Sequence, residues 1–211
     1  MQSRLINIHK KLLKHFGRQH WWPGETPFEI MVGAILTQNT NWGNVERAIN
    51  NLKQAQALNP QKMVESKASN VECWIKPSGY FRAKTKKLKI FCGWLLKNGG
   101  VPGVGGWGLG ELRRELLGIW GIGPETADSI LCYALGKKSF VVDAYTVRIF
   151  NRLGLIKTKD YHEIKKIFEN DLPRNLKLYQ EYHALIVALG KNYCKPKPAC
   201  ENCPVKSLCS D

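Results

Sequence analysis

Four cysteines dominate the reactive chemistry near the C-terminus: Cys194, Cys200, Cys203 and Cys209 follow one another as C-x5-C-x2-C-x5-C. Four thiolates in so short a loop can wrap one Zn²⁺ or a cubane iron–sulfur cluster, both soft-ligand sites, and spacing alone does not choose between them. A second centre is Asp143, which follows Phe140-Val141-Val142 and opens a segment holding Tyr145, Val147, Arg148 and Ile149. A carboxylate there caps a helix and is favoured by the helix dipole, so an ordinary cap is the plain reading and a chemical role the sharper one. A third is Leu117 to Ala127, where Gly121-Ile122-Gly123 precedes Pro124-Glu125-Thr126. Paired glycines let backbone N–H groups approach a ligand, phosphate being the natural one; a bare helix–helix turn is the simpler alternative. Three polar-aromatic loops complete the set: Trp21-Trp22-Pro23, Gln38-Asn39-Thr40-Asn41-Trp42 and Lys76-Pro77-Ser78-Gly79-Tyr80. Indole faces stack on bases and attract cations, although an isolated tryptophan is more often core.

Charge indicates the partner. Thirty-two Lys and Arg against 17 Asp and Glu leave +15 on 211 residues, with a pI of about 9.6. That field attracts polyanions and makes nucleic acid the leading candidate. No run approaches the length of a membrane helix; the best, Phe28 to Leu36, is short and contains Glu29. The opening Met1-Gln2-Ser3-Arg4-Leu5 lacks an export pattern, so a reducing cytoplasmic setting is expected, in which clustered thiols read as metal ligands rather than disulfides. Cys73, Cys92 and Cys132 sit alone in apolar stretches and read as core.

The elements that must position these groups read as helices throughout. Leu5, Ile8, Leu12 and Phe16 share one helical face, and Gly17 ends that helix. Thr26-Pro27 starts a second, to about Leu36; Thr37 to Trp42 is turn-like; Val45 to Leu52 is helical again. Further helical patterns cover 61–68 and 83–97, the latter with a basic face of Lys84, Lys86, Lys87 and Lys89. Residues 99–110 formally contain G-x-G-x-x-G, but no strand precedes it, and a flexible connection is expected instead of a dinucleotide site. Glu111 to Leu117 and the run Ala127, Ile130, Leu131, Ala134 form two helices facing across Gly118 to Gly123, followed by helices over 161–170 and 177–191. No alternating strand pattern occurs, so the class is all-α.

Gly121-Ile122-Gly123 with Thr126-Ala127, then Val141-Val142-Asp143 and the terminal cysteine loop, resembles the helix-hairpin-helix DNA glycosylases of the endonuclease III superfamily over essentially the whole chain. The resemblance implies two helical domains, a six-helix domain over 21–136 that ends in the hairpin and a second from 1–20 plus 137–211, with DNA in the groove between them and the target nucleotide flipped out. It implies that Asp143 is the catalytic carboxylate, stabilising the oxocarbenium-like sugar. It implies phosphate contacts at Gly121, Gly123 and Thr126. The superfamily's cluster loop is one residue longer in its first gap, which favours a [4Fe–4S] cofactor on Cys194, Cys200, Cys203 and Cys209 over zinc.

Members that also cut the backbone carry a lysine just after the hairpin, whose amine attacks C1′. Glu125 stands there, which implies a monofunctional glycosylase; Lys137 and Lys138, shortly before Asp143, leave residual lyase action open. The Trp21-Trp22-Pro23, Leu36-Thr37-Gln38-Asn39-Thr40 and Pro77-Ser78-Gly79-Tyr80 segments are similar to the bacterial 3-methyladenine glycosylase branch. Trp21, Trp22, Pro23 and Trp42 then correspond to its base pocket, Gln38 to the residue that fills the emptied stack, and Tyr80 to the wedge on the opposite strand. The expectation is a monomeric, prokaryotic, nucleoid-associated enzyme of base excision repair, acting on an alkylated purine in double-stranded DNA, with no membrane partner. A glycosylase for oxidised or deaminated bases, a non-catalytic iron–sulfur damage-binding module, and a zinc-dependent transcription factor are the rival readings.

Overall fold

The structure is a computed structural model and describes residues 1–209. Among these residues there are twelve α-helices and no strand, the all-α class that the periodicity indicates. None of the helices is long and apolar enough to cross a membrane. The chain divides into two compact units, Trp22–Lys137, and Met1–Trp21 with the segment from Lys138 onward.

In the Trp22–Lys137 unit, α2 (Pro27–Leu36) is buried along nearly its whole length, because it is apolar apart from Glu29, whose carboxylate the Lys53 ammonium meets at 3.0 Å. Thr26 caps it by accepting from the Glu29 amide at 3.1 Å, with Pro27 in the first turn. Against it pack α3 (Trp42–Gln54), α6 (Phe81–Lys97) and α9 (Pro124–Ser129), which continues into a π turn over Ile130–Ala134; α4 (Pro60–Glu65) and α7 (Gly100–Gly105) lie on α6, α5 (Ala68–Ile75) on α3 and α6, and α8 (Leu109–Gly118) on α9. Met31, Ile35, Leu88, Phe91 and Leu131 are among the fully buried residues of this core. Three expectations change here. The glycine-rich stretch is not a simple flexible connection, since Gly100–Gly105 forms α7, and the 61–68 pattern is interrupted at Ser66 and Lys67 before α5 begins. Cys92 and Cys132 are buried as expected, but Cys73 is exposed on α5.

The Arg113 guanidinium forks onto the fully buried Asp128 carboxylate, Nε to Oδ1 at 2.9 Å and Nη2 to Oδ2 at 3.0 Å. This bidentate pair ties α8 to α9 across the turn that carries Gly121 and Gly123.

The other unit packs α1 (Gln2–Phe16), α10 (Ala144–Arg152), α11 (Tyr161–Asp171) and α12 (Leu176–Asn192) around an aromatic cluster. Phe140 stacks on Phe168 at 4.2 Å, with Phe150, Tyr179 and Tyr182 edge-on to one or the other. Leu5, Ile8 and Leu12 are the buried face of α1, and the Tyr182 hydroxyl donates to the Leu5 carbonyl at 2.8 Å. Gly190 of α12 lies so close to the Tyr145 ring that a methyl group there would approach it to 2.1 Å, so only glycine lets α10 and α12 meet at this point.

Asp128 is fully buried, so removing the Arg113 guanidinium withdraws a bidentate, charge-assisted pair from a site that solvent does not reach. Arg113→Ala is expected to lower unfolding stability by about 3 kcal/mol in denaturant titration. A change below about 1 kcal/mol would show that the pair does not hold the hairpin.

Candidate active site

Asp143 occupies the N-cap of α10, and its two oxygens have different surroundings. Oδ1 accepts from the Thr146 amide at 2.7 Å and from the Thr146 hydroxyl at 2.8 Å. Oδ2 lies 3.7 Å from Nε2 of the buried His183 on α12. Burial pushes His183 below the ordinary imidazole range, with Asp143 acting in the opposite sense. The ring is therefore neutral at neutral pH and does not cancel the carboxylate's charge. The segment that delivers Asp143 is itself fastened: the Lys165 ammonium donates to Ser139 Oγ at 2.6 Å, to the Phe140 carbonyl at 3.1 Å and to Glu169 Oε1 at 2.6 Å, while Glu169 Oε1 accepts from the Phe140 amide at 2.9 Å.

In the other unit the hairpin turn bends through Gly121, whose φ of +85° is left-handed, and Gly123 leads into α9 through its extended backbone. Gln38 is drawn onto this turn: Nε2 donates to the Gly121 carbonyl at 3.1 Å and to Thr126 Oγ1 at 2.9 Å. Gln38, Gly121 and Thr126, read in the sequence as parts of two separate functions, thus form one cluster. Tyr80 stands 71% exposed ahead of α6, with a left-handed φ of +44° that is unusual for a residue with a side chain. Glu125 is exposed at the start of α9, and the Lys137 ammonium is held by the carbonyls of Gly105 and Trp107, each at 2.9 Å.

The expected basic face of α6 is four lysines with four different tasks. Lys84 is buried and donates to the Leu36 carbonyl at 2.8 Å and the Ser78 carbonyl at 2.7 Å, joining the root of the Gln38 loop to the root of the Tyr80 turn. Lys87 donates to Gln38 Oε1 at 2.5 Å. Lys89 caps α4 through the carbonyls of Met63, Val64 and Ser66, and Lys86 sits 4.4 Å over the half-exposed Trp120 ring of the hairpin. Sequence reasoning missed the individual roles of Lys84 and Lys87 because lysines on a helix usually mark a solvated face. It missed His183 because a lone histidine in the apolar run of α12 carries no signal of its own.

Of the aromatic residues, Trp22 packs edge-on to Trp42 at 5.5 Å and at a tilt against Tyr133 of the π turn at 5.4 Å. Gly33 accommodates the Trp22 indole: a methyl there would come within 3.1 Å of Nε1. Pro23 and Trp42 border a cavity of about 420 Å³ shared with Glu25, Glu29, Glu46 and Lys53. Trp21 belongs to the unit of α1 and α10–α12, where the Lys191 ammonium lies 5.8 Å from its ring.

Cys194, Cys200, Cys203 and Cys209 line a single cavity, walled also by Ile149, Leu153, Leu189 and Val205. Arg152 binds the loop that bears them, Nη1 to the Lys195 carbonyl at 2.7 Å and Nη2 to the Pro196 carbonyl at 2.9 Å, while Arg148 Nε donates to the Cys194 carbonyl at 2.8 Å. Burial and the charges of the three neighbouring thiols push Cys203 up, against a hydrogen bond from the Val205 backbone. Among the described residues no three His, Cys, Asp or Glu side chains form a closed ligand set. The donor chemistry nevertheless fits a soft, positively charged group: four sulfurs face one apolar cavity, where such a group would offset their mutual repulsion.

Burial pushes Lys84 down to about 8, with repulsion from Lys87 adding to it. Between about pH 8 and about pH 10 the unfolded chain keeps a proton that the folded chain has released, so this lysine's contribution to stability rises with pH there and is flat below. Denaturant titrations of the wild type and Lys84→Met at several pH values should show the difference moving in favour of the wild type across that window. A flat difference would contradict the burial of Lys84.

The HhH-GPD superfamily of base excision DNA repair proteins matches residues 32–174. A Methanocaldococcus jannaschii protein assigned as a DNA repair glycosylase is 49% identical over 209 residues, spanning 97% of this chain and 95% of its own. Endonuclease III of Thermotoga maritima is 30% identical over 204 residues, 95% of this chain and 89% of that one. A crystal structure of H. pylori 3-methyladenine DNA glycosylase bound to 1,N6-ethenoadenine superposes with a TM-score of 0.76 at 30% identity, over 90% of this chain and 95% of that one. A non-covalent endonuclease III–DNA complex superposes with a TM-score of 0.84 over 100% and 95% of the two chains; at 22% identity this is a likeness of fold. The chain belongs to the HhH-GPD superfamily and is a DNA repair glycosylase of that group.

Proposed function

We propose that the chain is a monofunctional glycosylase that flips 3-methyladenine, or a related alkylated purine, out of double-stranded DNA and hydrolyses its N-glycosidic bond. The observation that carries this reading is Asp143, a buried carboxylate with one oxygen spent on Thr146 and the other beside a neutral imidazole. As the C1′–N bond breaks, its electron pair leaves with the base, and positive charge develops on the sugar. A fixed anion beside the sugar stabilises that charge more than it stabilises the ground state, whose positive charge lies on the base, and this difference is what lowers a barrier. Water then bonds to C1′, and its proton passes to Asp143 or to solvent.

Two features support the alkylated purine. The Trp22 and Trp42 rings stand together with Tyr133, and electron-rich faces attract a cationic base. The H. pylori relative, alike over 95% of its length, is a 3-methyladenine glycosylase. A cationic base is already a good leaving group, so one aspartate and stacking suffice without a strong general acid. The hydrolytic outcome is supported by Glu125 at the position after the hairpin, since a carboxylate cannot form an imine, and by the attachment of the Lys137 amine to two carbonyls. In this reading Gly121, Gly123 and Thr126 receive phosphate, Gln38 fills the emptied stack and Tyr80 wedges the opposite strand.

Cys194, Cys200, Cys203 and Cys209 would hold a [4Fe–4S] cluster, which when bound supplies a structural cross-link for the terminal loop. The work of this chain's own residues there is mechanical: Arg148 and Arg152 hold the loop on α10, the helix that Asp143 caps.

The test is release of free base from duplexes that each carry one damaged base. Release of 3-methyladenine is expected, and Asp143→Asn should lose it by at least about a hundredfold while still binding DNA. Borohydride should trap no covalent adduct on an abasic duplex; an adduct would overturn the hydrolytic reading, and undiminished release by Asp143→Asn would overturn the role of the carboxylate.

A further inference from the structure

Gln38 cannot enter a DNA duplex from its position in this structure without breaking three hydrogen bonds. Both amide hydrogens are used, on the Gly121 carbonyl and on Thr126 Oγ1, and its carbonyl oxygen accepts from the Lys87 ammonium. All of these partners lie on or against the hairpin turn. The Lys87 stem covers Gly121 so closely that a methyl group on that glycine would approach the stem to 2.6 Å. The cation that holds the glutamine therefore lies over Gly121, on the same turn where Gly123 has open space beside it for an arriving anion.

From this arrangement we propose that Lys87 is a positioning residue that exchanges Gln38 for a DNA phosphate, so that docking of the backbone on the hairpin and release of Gln38 into the duplex are one coupled event. The proposal rests on the reading above that Gln38 fills the emptied stack. Its physical basis is a difference in strength. An ammonium–phosphate hydrogen bond joins two charges, whereas the ammonium–amide bond has only one. A phosphate on the turn therefore outcompetes the Gln38 carbonyl for Lys87. With that bond gone, Gln38 keeps only two neutral hydrogen bonds, which a base edge or the orphaned partner base can replace. Away from DNA the same bonds keep the glutamine against the protein. Lys87→Met breaks both halves of the exchange, while Thr126→Val weakens the hold on Gln38 without touching the charge.

The experiment uses the full chain and a duplex with a tetrahydrofuran abasic analogue opposite 2-aminopurine, whose fluorescence follows insertion in stopped flow; equilibrium binding is measured across a salt series. Lys87→Met should reduce the slope of log affinity against log salt by about one and speed insertion about fivefold. Thr126→Val should speed insertion with the slope unchanged, since a hydroxyl releases no counterion, and Lys87→Arg should restore the slope. An unchanged slope in Lys87→Met, or insertion at the wild-type rate or slower in either Lys87→Met or Thr126→Val, overturns the exchange. Gln38→Ala separates this outcome from the underlying reading. Loss of the fluorescence phase keeps Gln38 as the inserted residue, and its full retention removes both the reading and the exchange.

Discussion

In the proposed reaction one carboxylate serves two ends. Asp143 Oδ1 fastens the first turn of α10 by accepting the Thr146 amide and hydroxyl, and the same contacts fix where the negative charge lies. A helix cap and a catalytic anion, alternatives when read from sequence, are compatible because the carboxylate has two oxygens and the cap needs one. The cap also provides preorganisation. An anion held by a helix terminus and a threonine has little freedom left to lose when charge develops on a sugar, which is the condition under which electrostatic stabilisation is strongest. The neutral state of His183 belongs to the same arrangement: a protonated imidazole 3.7 Å away would neutralise the charge on which the proposed reaction depends.

The rest of this unit can be understood as support for that position. Lys165 and Glu169 hold the segment before Asp143, the Phe140–Phe168 stack buries its base, and Gly190 lets α12 approach α10 closely enough to bring His183 beside the carboxylate. In the other unit, α6 has the equivalent task. Its buried Lys84 binds the carbonyls at the roots of two loops, and Lys87 binds the side chain at the tip of one of them. A lysine suits both tasks because one ammonium can donate to carbonyls from separate segments.

The hairpin, the start of α10 at Asp143 and the all-helical class were legible from glycine spacing, capping chemistry and 3.6-residue periodicity, all of which are local signals. What was not legible depends on tertiary context. Nothing local distinguishes Lys84, fully inside, from Lys86, on the surface two residues away. Gly100–Gly105 reads as a loop because glycine disfavours helix, yet packing of Val104 in the core overrides that preference. Cys73 sits in an apolar stretch and is nonetheless exposed, since α5 turns Val71 and Ile75 inward instead. The pattern is consistent: the candidate site residues at helix ends could be named from sequence, whereas the residues that hold them in place could not.

The central claim is that Asp143 stabilises positive charge on the deoxyribose. It is tested most directly by comparing the binding of two duplexes, one with a cationic pyrrolidine in place of the sugar and one with the neutral tetrahydrofuran. The account predicts that the wild type binds the cationic duplex at least about tenfold more tightly and that Asp143→Asn binds the two alike. A wild type with no preference, or an Asp143→Asn variant that keeps it, would contradict the account.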